Sequence, residues 1–148
     1  MTTAFKTVQD AIVAALTTPA TIVGTRVYAG RARPMPAEHD SDINISIESI
    51  GGQQFAVGAG PVDWQVIYGV DIRARGSATT DGMDAVDPLL EAAYARLLAT
   101  APPAGVMGWV LQPRARLDVE EAATPVASLQ LALNVQLRTQ PGSLALAA

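Results

Sequence analysis

The stretch DAVDPLLEAAYARLLAT, residues 84–100, decides how the rest of the chain is arranged. Val86, Leu89, Leu90, Ala93, Tyr94, Leu97 and Leu98 recur at the i, i+3, i+4, i+7 spacing that gathers apolar side chains along one side of a helix. Pro88 falls in the first turns, where its missing N–H costs no ladder bond. Asp81, Asp84 and Asp87 bring negative charge to the positive end of the helix dipole. Pro102 and Pro103 end the helix, because neither donates a backbone hydrogen bond and each pushes its predecessor out of helical geometry. A helix with so wide an apolar face needs a cover, and the alternating stretches on either side of it are the candidates.

Upstream, Ile43, Ile45 and Ile47 alternate with Asn44, Ser46 and Glu48, the period of a half-buried strand. A second strand follows, in which Trp64, Val66, Tyr68, Val70 and Ile72 oppose Gln65, Ile67, Gly69, Asp71 and Arg73. Between them, residues 51–61 (GGQQFAVGAGP) carry glycines at 51, 52, 58 and 60, which predicts a mobile loop or a long hairpin arm. Downstream, Leu111, Ala115, Leu117 and Val119 oppose Gln112, Arg114, Arg116 and Asp118, with Pro113 placing the start of that strand at an edge or a bulge. The last strand is the most regular: Leu129, Leu131, Leu133, Val135 and Leu137 face one way. Burying those five at roughly 1.5–3 kcal/mol each puts it in the middle of the core. The turn at 120–125 joins these last two strands as an antiparallel hairpin.

At the other end, Thr2 or Thr3 caps a first helix with Phe5, Val8, Ile12, Ala15 and Leu16 on one side, closed by Thr17, Thr18 and Pro19. A short extended stretch over 22–28 leads to a proline-containing loop or edge-hugging arm over 29–42. The order is therefore α-β-β-β-α-β-β. It predicts one α+β domain over 1–148, an antiparallel or mixed sheet with both helices on one face, and a flexible or subunit-contacting tail at 139–148.

Composition narrows the function. The 148 residues include no cysteine, which excludes a disulfide scaffold, a thiolate metal site and a cysteine nucleophile. No apolar run approaches a membrane span, and Lys6, Gln9 and Asp10 interrupt the N-terminal stretch, so a soluble protein without an export signal is expected. Ten basic against fourteen acidic side chains give a net charge of -4, which argues against grip on nucleic acid through the overall field.

No reactive cluster is legible. The single histidine, His39, stands among Glu38, Asp40 and Asp42, but consecutive positions in a loop do not preset ligand geometry. There is no G-x-S-x-G elbow and no P-loop, and the glycines of 51–60 lead into no helix. The acidic residues of 84–91 are explained by the helix dipole. No catalytic residue, cofactor or metal is expected. Arg73 with Arg75, and Arg114 with Arg116, share strand faces opposite the apolar rows. If the two strands were neighbours, the four would form a basic ladder for a partner subunit or a phosphate backbone, with Asp71 and Asp118 placed to neutralise it.

The element order resembles the tail terminator (tail completion) proteins of long-tailed bacteriophages, the family of the lambda-like minor tail protein U. The resemblance is carried by a first helix ending in TTP, by RVYAGRARPMPAE (26–38), DINISIESI (42–50) and WQVIYGVDIRARG (64–76), by the helix of 84–100, and by a closing strand LALNVQLRT (131–139). It implies a non-enzymatic virion protein: a subunit of a hexameric ring on the growing end of the tail tube, assembled in the host cytoplasm. Its partners would be copies of itself, the tube protein and a head-completion or connector protein, with DNA only as passing cargo and no membrane. On that reading the loop of 29–42 and the glycine-rich arm are interface candidates. The residues singled out are Arg31, Arg33, Gln53, Gln54 and Phe55, with Arg73, Arg75, Arg114 and Arg116 as charged interface or lumen positions. Two alternatives stand beside it: another phage neck protein, or a ligand-binding or enzymatic α+β domain built around His39.

Overall fold

Helix α1 runs from Ala4 to Thr17, capped by Thr3, whose hydroxyl accepts from the Lys6 N–H at 3.3 Å. Strands β1 (Val27–Ala29), β2 (Ser41–Gln54) and β3 (Val62–Arg75) follow, then helix α2 (Gly82–Ala99), β4 (Val106–Glu120) and β5 (Val126–Thr139). This computed structural model describes residues 2–18, 26–30, 35–36, 38–54, 58, 60–77, 79–120 and 125–147, and of 113–120 it describes the backbone. The expected class and order hold: two helices and a five-stranded mixed sheet.

The sheet order is β1-β2-β3-β5-β4, antiparallel throughout except for the short β1, which runs parallel to β2. Since β3 and β4 are both antiparallel to β5, they run parallel to each other on either side of it. Such a connection requires a crossover element, and α2 is that element. The strand with the most regular alternation lies inside the sheet, and Leu133, Val135 and Leu137 are fully buried in it. Pro113 falls in an edge strand, within an irregularity of register between Leu111 and Ala115, as the missing donor requires.

One face of the sheet carries the core. Ile43, Ile72 and Leu129 lie in one row, with Ile45, Val70 and Leu131 in the next, and both helices pack on these residues. From α1 come Ala4, Val8, Ile12 and Leu16, and from α2 come Val86, Ala93 and Leu97. The expected stripe of α2 is wider than the face the sheet covers. Leu89 and Leu90 are only partly buried, while Tyr94 is 46% and Leu98 60% exposed. Buried polar groups fix the layers. The Gln9 amide donates to the Ile45 carbonyl at 2.9 Å and the Tyr68 hydroxyl to the Phe5 carbonyl at 2.8 Å. The Trp109 indole N–H reaches the Leu97 carbonyl at 3.2 Å.

The residues after β5 turn back onto their own chain. Leu146 bridges to Thr139 and packs on the core, and the Ala4 N–H donates to the Leu144 carbonyl at 2.7 Å. Gly105 makes this closure possible. Its φ is +88°, and a Cβ there would stand 2.2 Å from the Ala147 carbonyl oxygen. Gly105→Ala is expected to lower stability by about 2 kcal/mol or more, from left-handed strain and the backbone clash together. Thermal melting of the variant checks this, and an unchanged melting temperature would contradict it.

Candidate functional site: the helix-free sheet face and the hairpin arm

The strands that bury one face leave the other without helices. Their pairing places Asp42, Arg73 and Ser128 in one row of that face, and Asn44, Asp71 and Gln130 in the next. Arg73 grips Asp42 through two parallel bonds, Nε to Oδ1 and a terminal nitrogen to Oδ2, both 2.6 Å. Asp42 is fully buried and the Arg73 side chain is 17% exposed, so this pair sits under cover despite lying off the core. Arg75 reaches the carbonyls of Pro36 at 3.3 Å and His39 at 3.4 Å, and its N–H donates to the Asp40 carbonyl at 2.8 Å. Pro36, His39 and Asp40 are thereby tied to the end of β3.

These contacts locate the residues singled out in the sequence. Arg73 and Arg75 are engaged within the chain. The basic ladder does not form, because β5 separates β3 from β4. Register places Arg116 opposite Gln130, in the row of Asp71, and Asp118 opposite Ser128, in the row of Arg73, so opposite charges share rows. Arg114 falls in the irregular part of β4, between Leu111 and Ala115. Arg31, Arg33 and Phe55 lie outside the described residues. Gln53 and Gln54 lie at the exposed end of β2.

His39 is half-buried, and its Nδ1 has no hydrogen-bond partner among the described residues. Asp42, one of its expected companions, is turned onto Arg73. No group of three His, Asp or Glu side chains that could hold a metal gathers among the described residues.

The centre of the open face is polar rather than basic. Over Gly69 the side-chain ends of Gln130, Glu48 and Ser46 converge, and an added Cβ would meet the Gln130 Nε2 at 2.6 Å. Gln65 donates to Asn134 at 3.3 Å, and Arg138 pairs with Asp63 through bonds of 2.5 and 2.9 Å. The Arg138 hydrogen bond holds the Asp63 carboxyl below its usual range, and Arg138 itself is raised in turn. Asp71 behaves in the opposite way. Burial pushes its carboxyl up, Arg73 opposes, and Glu48 and Asp42 add to the rise.

A raised carboxyl means that the folded chain favours the protonated form. The contribution is therefore present below the ordinary carboxylate range and is lost as pH rises through the folded value. Asp71→Asn is thus expected to melt higher than the parent at about pH 7, with the gap closing below about pH 4. Melting curves across that range check it, and a gap that grows toward acid would contradict the assignment.

The second feature is the hairpin arm. The expected loop is strand as far as Gln54, pairing Gly52 with Trp64 and Gln54 with Val62. The Trp64 ring lies over Gly52, where a Cβ would come within 2.7 Å of it. The same ring meets Phe5 edge-on at 5.2 Å and donates its indole N–H to Thr139 at 3.0 Å. The arm is thus braced on the core at its root, while every residue from Ile47 to Gln54 is exposed. An open groove of about 430 Å³ runs along it, lined by Gly51, Gln53, Gln65, Met107 and Gln136 among others.

No protein-family model matches the chain, and no curated protein matches it. Among solved structures it is similar to a chain described as "Virion of native gene transfer agent (GTA) particle", at a TM-score of 0.66 and 18% identity. The match covers 88% of this chain and 94% of that one. At that identity the likeness is one of fold, and it spans nearly the whole of both chains. No helix among the described residues is long and apolar enough to cross a membrane.

Proposed function

We propose that this chain is a structural subunit of a phage-like particle and, within it, a tail terminator: a protein that caps the growing tail tube as a hexameric ring, stops its polymerisation and presents the surface for head-tail joining. The observation that carries the reading is the likeness of fold, over 88% of this chain and 94% of the other, to a chain of a gene transfer agent virion. The element order that resembles the tail terminators is the order of the fold itself.

The chemistry is consistent with assembly and offers little to catalysis. Two ion pairs on the helix-free face are closed within the chain, Asp42 with Arg73 and Asp63 with Arg138, and amides and hydroxyls fill much of the space between them. With Arg73 and Arg138 engaged by carboxylates, and Asp71 and Glu48 beside them, the described part of this face does not concentrate phosphate, which suits a wall past which DNA slides. The surfaces left for protein contact are the arm and the uncovered apolar side chains of α2 and β4. On this reading the partners are copies of the same chain, the tube protein and a head-completion protein, in the neck of a virion.

The purified chain, added to polymerising tube protein of its own particle, is expected to shorten the tubes in proportion to its concentration and to be found at one end of each. Tubes of unchanged length would sink the terminator reading. Binding to completed heads instead of tubes would move the protein to a connector role.

A further inference from the structure

The two edges of the sheet are unlike the edges of a protein that remains single. Beyond Ile45 no described strand covers the outer edge of β2, because β1 pairs only with residues 43–45. At the other end β4 pairs with β5 alone. Exposed edges are ordinarily guarded by charge, proline or a bulge. Here each edge contains a six-residue segment with neither charge nor proline: Ser49–Gln54 on β2 and Val106–Leu111 on β4. The guards are irregularities of register, one between Val106 and Gly108 on β4 and one between Ile47 and Ser49 where the β2 segment begins.

We infer that these two segments are made for each other: β4 of one copy of this chain pairs with β2 of the next, joining the sheets edge to edge. The register puts both at one level, since Ile50, Val66, Val135 and Trp109 share a row across the sheet. Strand direction agrees. Three successive antiparallel pairings make β2 and β4 run in opposite senses, so a copy rotated about an axis along the strands presents its β2 antiparallel to β4. Repetition of that one contact is head-to-tail, the geometry that closes into a ring.

Uncovered apolar side chains lie on the helix side of both edges. Ile47 and Ile50 point to that side, opposite Tyr68 and Val66, yet are 37% and 47% exposed. At the other edge the last turns of α2 lie beside β4, where Trp109 bonds to Leu97, and leave Tyr94 and Leu98 exposed. Edge pairing places the two isoleucines of one copy toward Tyr94 and Leu98 of the next. The inference takes from the proposed function only that copies of this chain assemble.

The chain has no cysteine, so a pair can be introduced cleanly. Val110→Cys, 61% exposed in the parent, is combined in turn with Ser49→Cys, Gly51→Cys or Gln53→Cys on the same sheet face. Within one chain the two sites stand three strand spacings apart, roughly 14 Å, which is beyond disulfide reach. Any bond is therefore between chains.

At about 0.5 mM chain, where a micromolar contact is saturated, oxidation of at least one of the three pairs is expected to give a covalent ladder ending in one closed species. Val110→Lys in otherwise parental chain is expected to weaken self-association about tenfold or more with little change in melting temperature. The inference is overturned if all three pairs stay single-length, or if Val110→Cys with Met83→Cys, whose neighbour Gly82 meets Ala127 at the opposite end of the sheet from Ser49–Gln54, ladders equally well. A ladder from a protein whose deletion leaves tail length unchanged would uphold the edge contact and sink only the terminator reading.

Discussion

Leu133→Asp is expected to abolish cooperative unfolding. Leu133 is fully buried near the middle of β5, opposite Tyr68 on β3 and Leu111 on β4. The substitution removes the roughly 2–3 kcal/mol that its burial contributes and places a carboxylate where no cation is available. An unpaired buried charge costs several kcal/mol even after relaxation, so the sum takes most or all of the roughly 5–15 kcal/mol by which a domain of this kind is stable. Leu90→Asp, on the partly exposed flank of α2, is expected to cost only about 1–2 kcal/mol, because its carboxylate can reach water. The contrast between the two is the test. A Leu133→Asp chain that melts cooperatively within a few degrees of the parent would refute the placement of β5 inside the core.

The second large effect concerns charge. Arg73→Met leaves the fully buried Asp42 carboxylate without its two guanidinium bonds, and is expected to cost about 3–5 kcal/mol. For a chain of this length that corresponds to a fall of roughly 10 °C or more in melting temperature. Removing both charges together, in Asp42→Leu with Arg73→Met, is expected to recover most of the loss, since replacing a buried ion pair by apolar groups of similar size is often neutral or better. A double variant as unstable as the single would mean that the loss arises from the altered loop and strand end rather than from the orphaned charge.

The alternation of Leu129 to Leu137 and the stripe from Val86 to Leu97 were legible because burial on one face imposes its own period on a sequence. The limit of the stripe was not. Periodicity reports which side chains share a face, not how far the opposing layer extends, and so Tyr94, Leu98 and Ile47 read as core although they are exposed among the described residues. The order of strands was equally hidden. Arg73 and Arg116 stand on successive strands of the sequence, β3 and β4, yet are kept apart by β5, which enters the sheet last and lies between them. That Pro36, His39 and Asp40 meet Arg75, and Asp42 meets Arg73, left no signal of its own, because a buried carboxylate such as Asp42 looks like any surface acid until its partner is seen. The arm combined both cases. Its glycines announced freedom, while the reason for Gly52, the ring of Trp64 above it, is a contact between strands.

The most direct test of the account is the length of tails seen by electron microscopy in particles made with this gene intact and with it deleted. The account predicts abnormally long tubes without heads in the deletion, restored to uniform length when the chain is supplied in trans. Tails of normal length in the deletion, whether joined to heads or free, would contradict it.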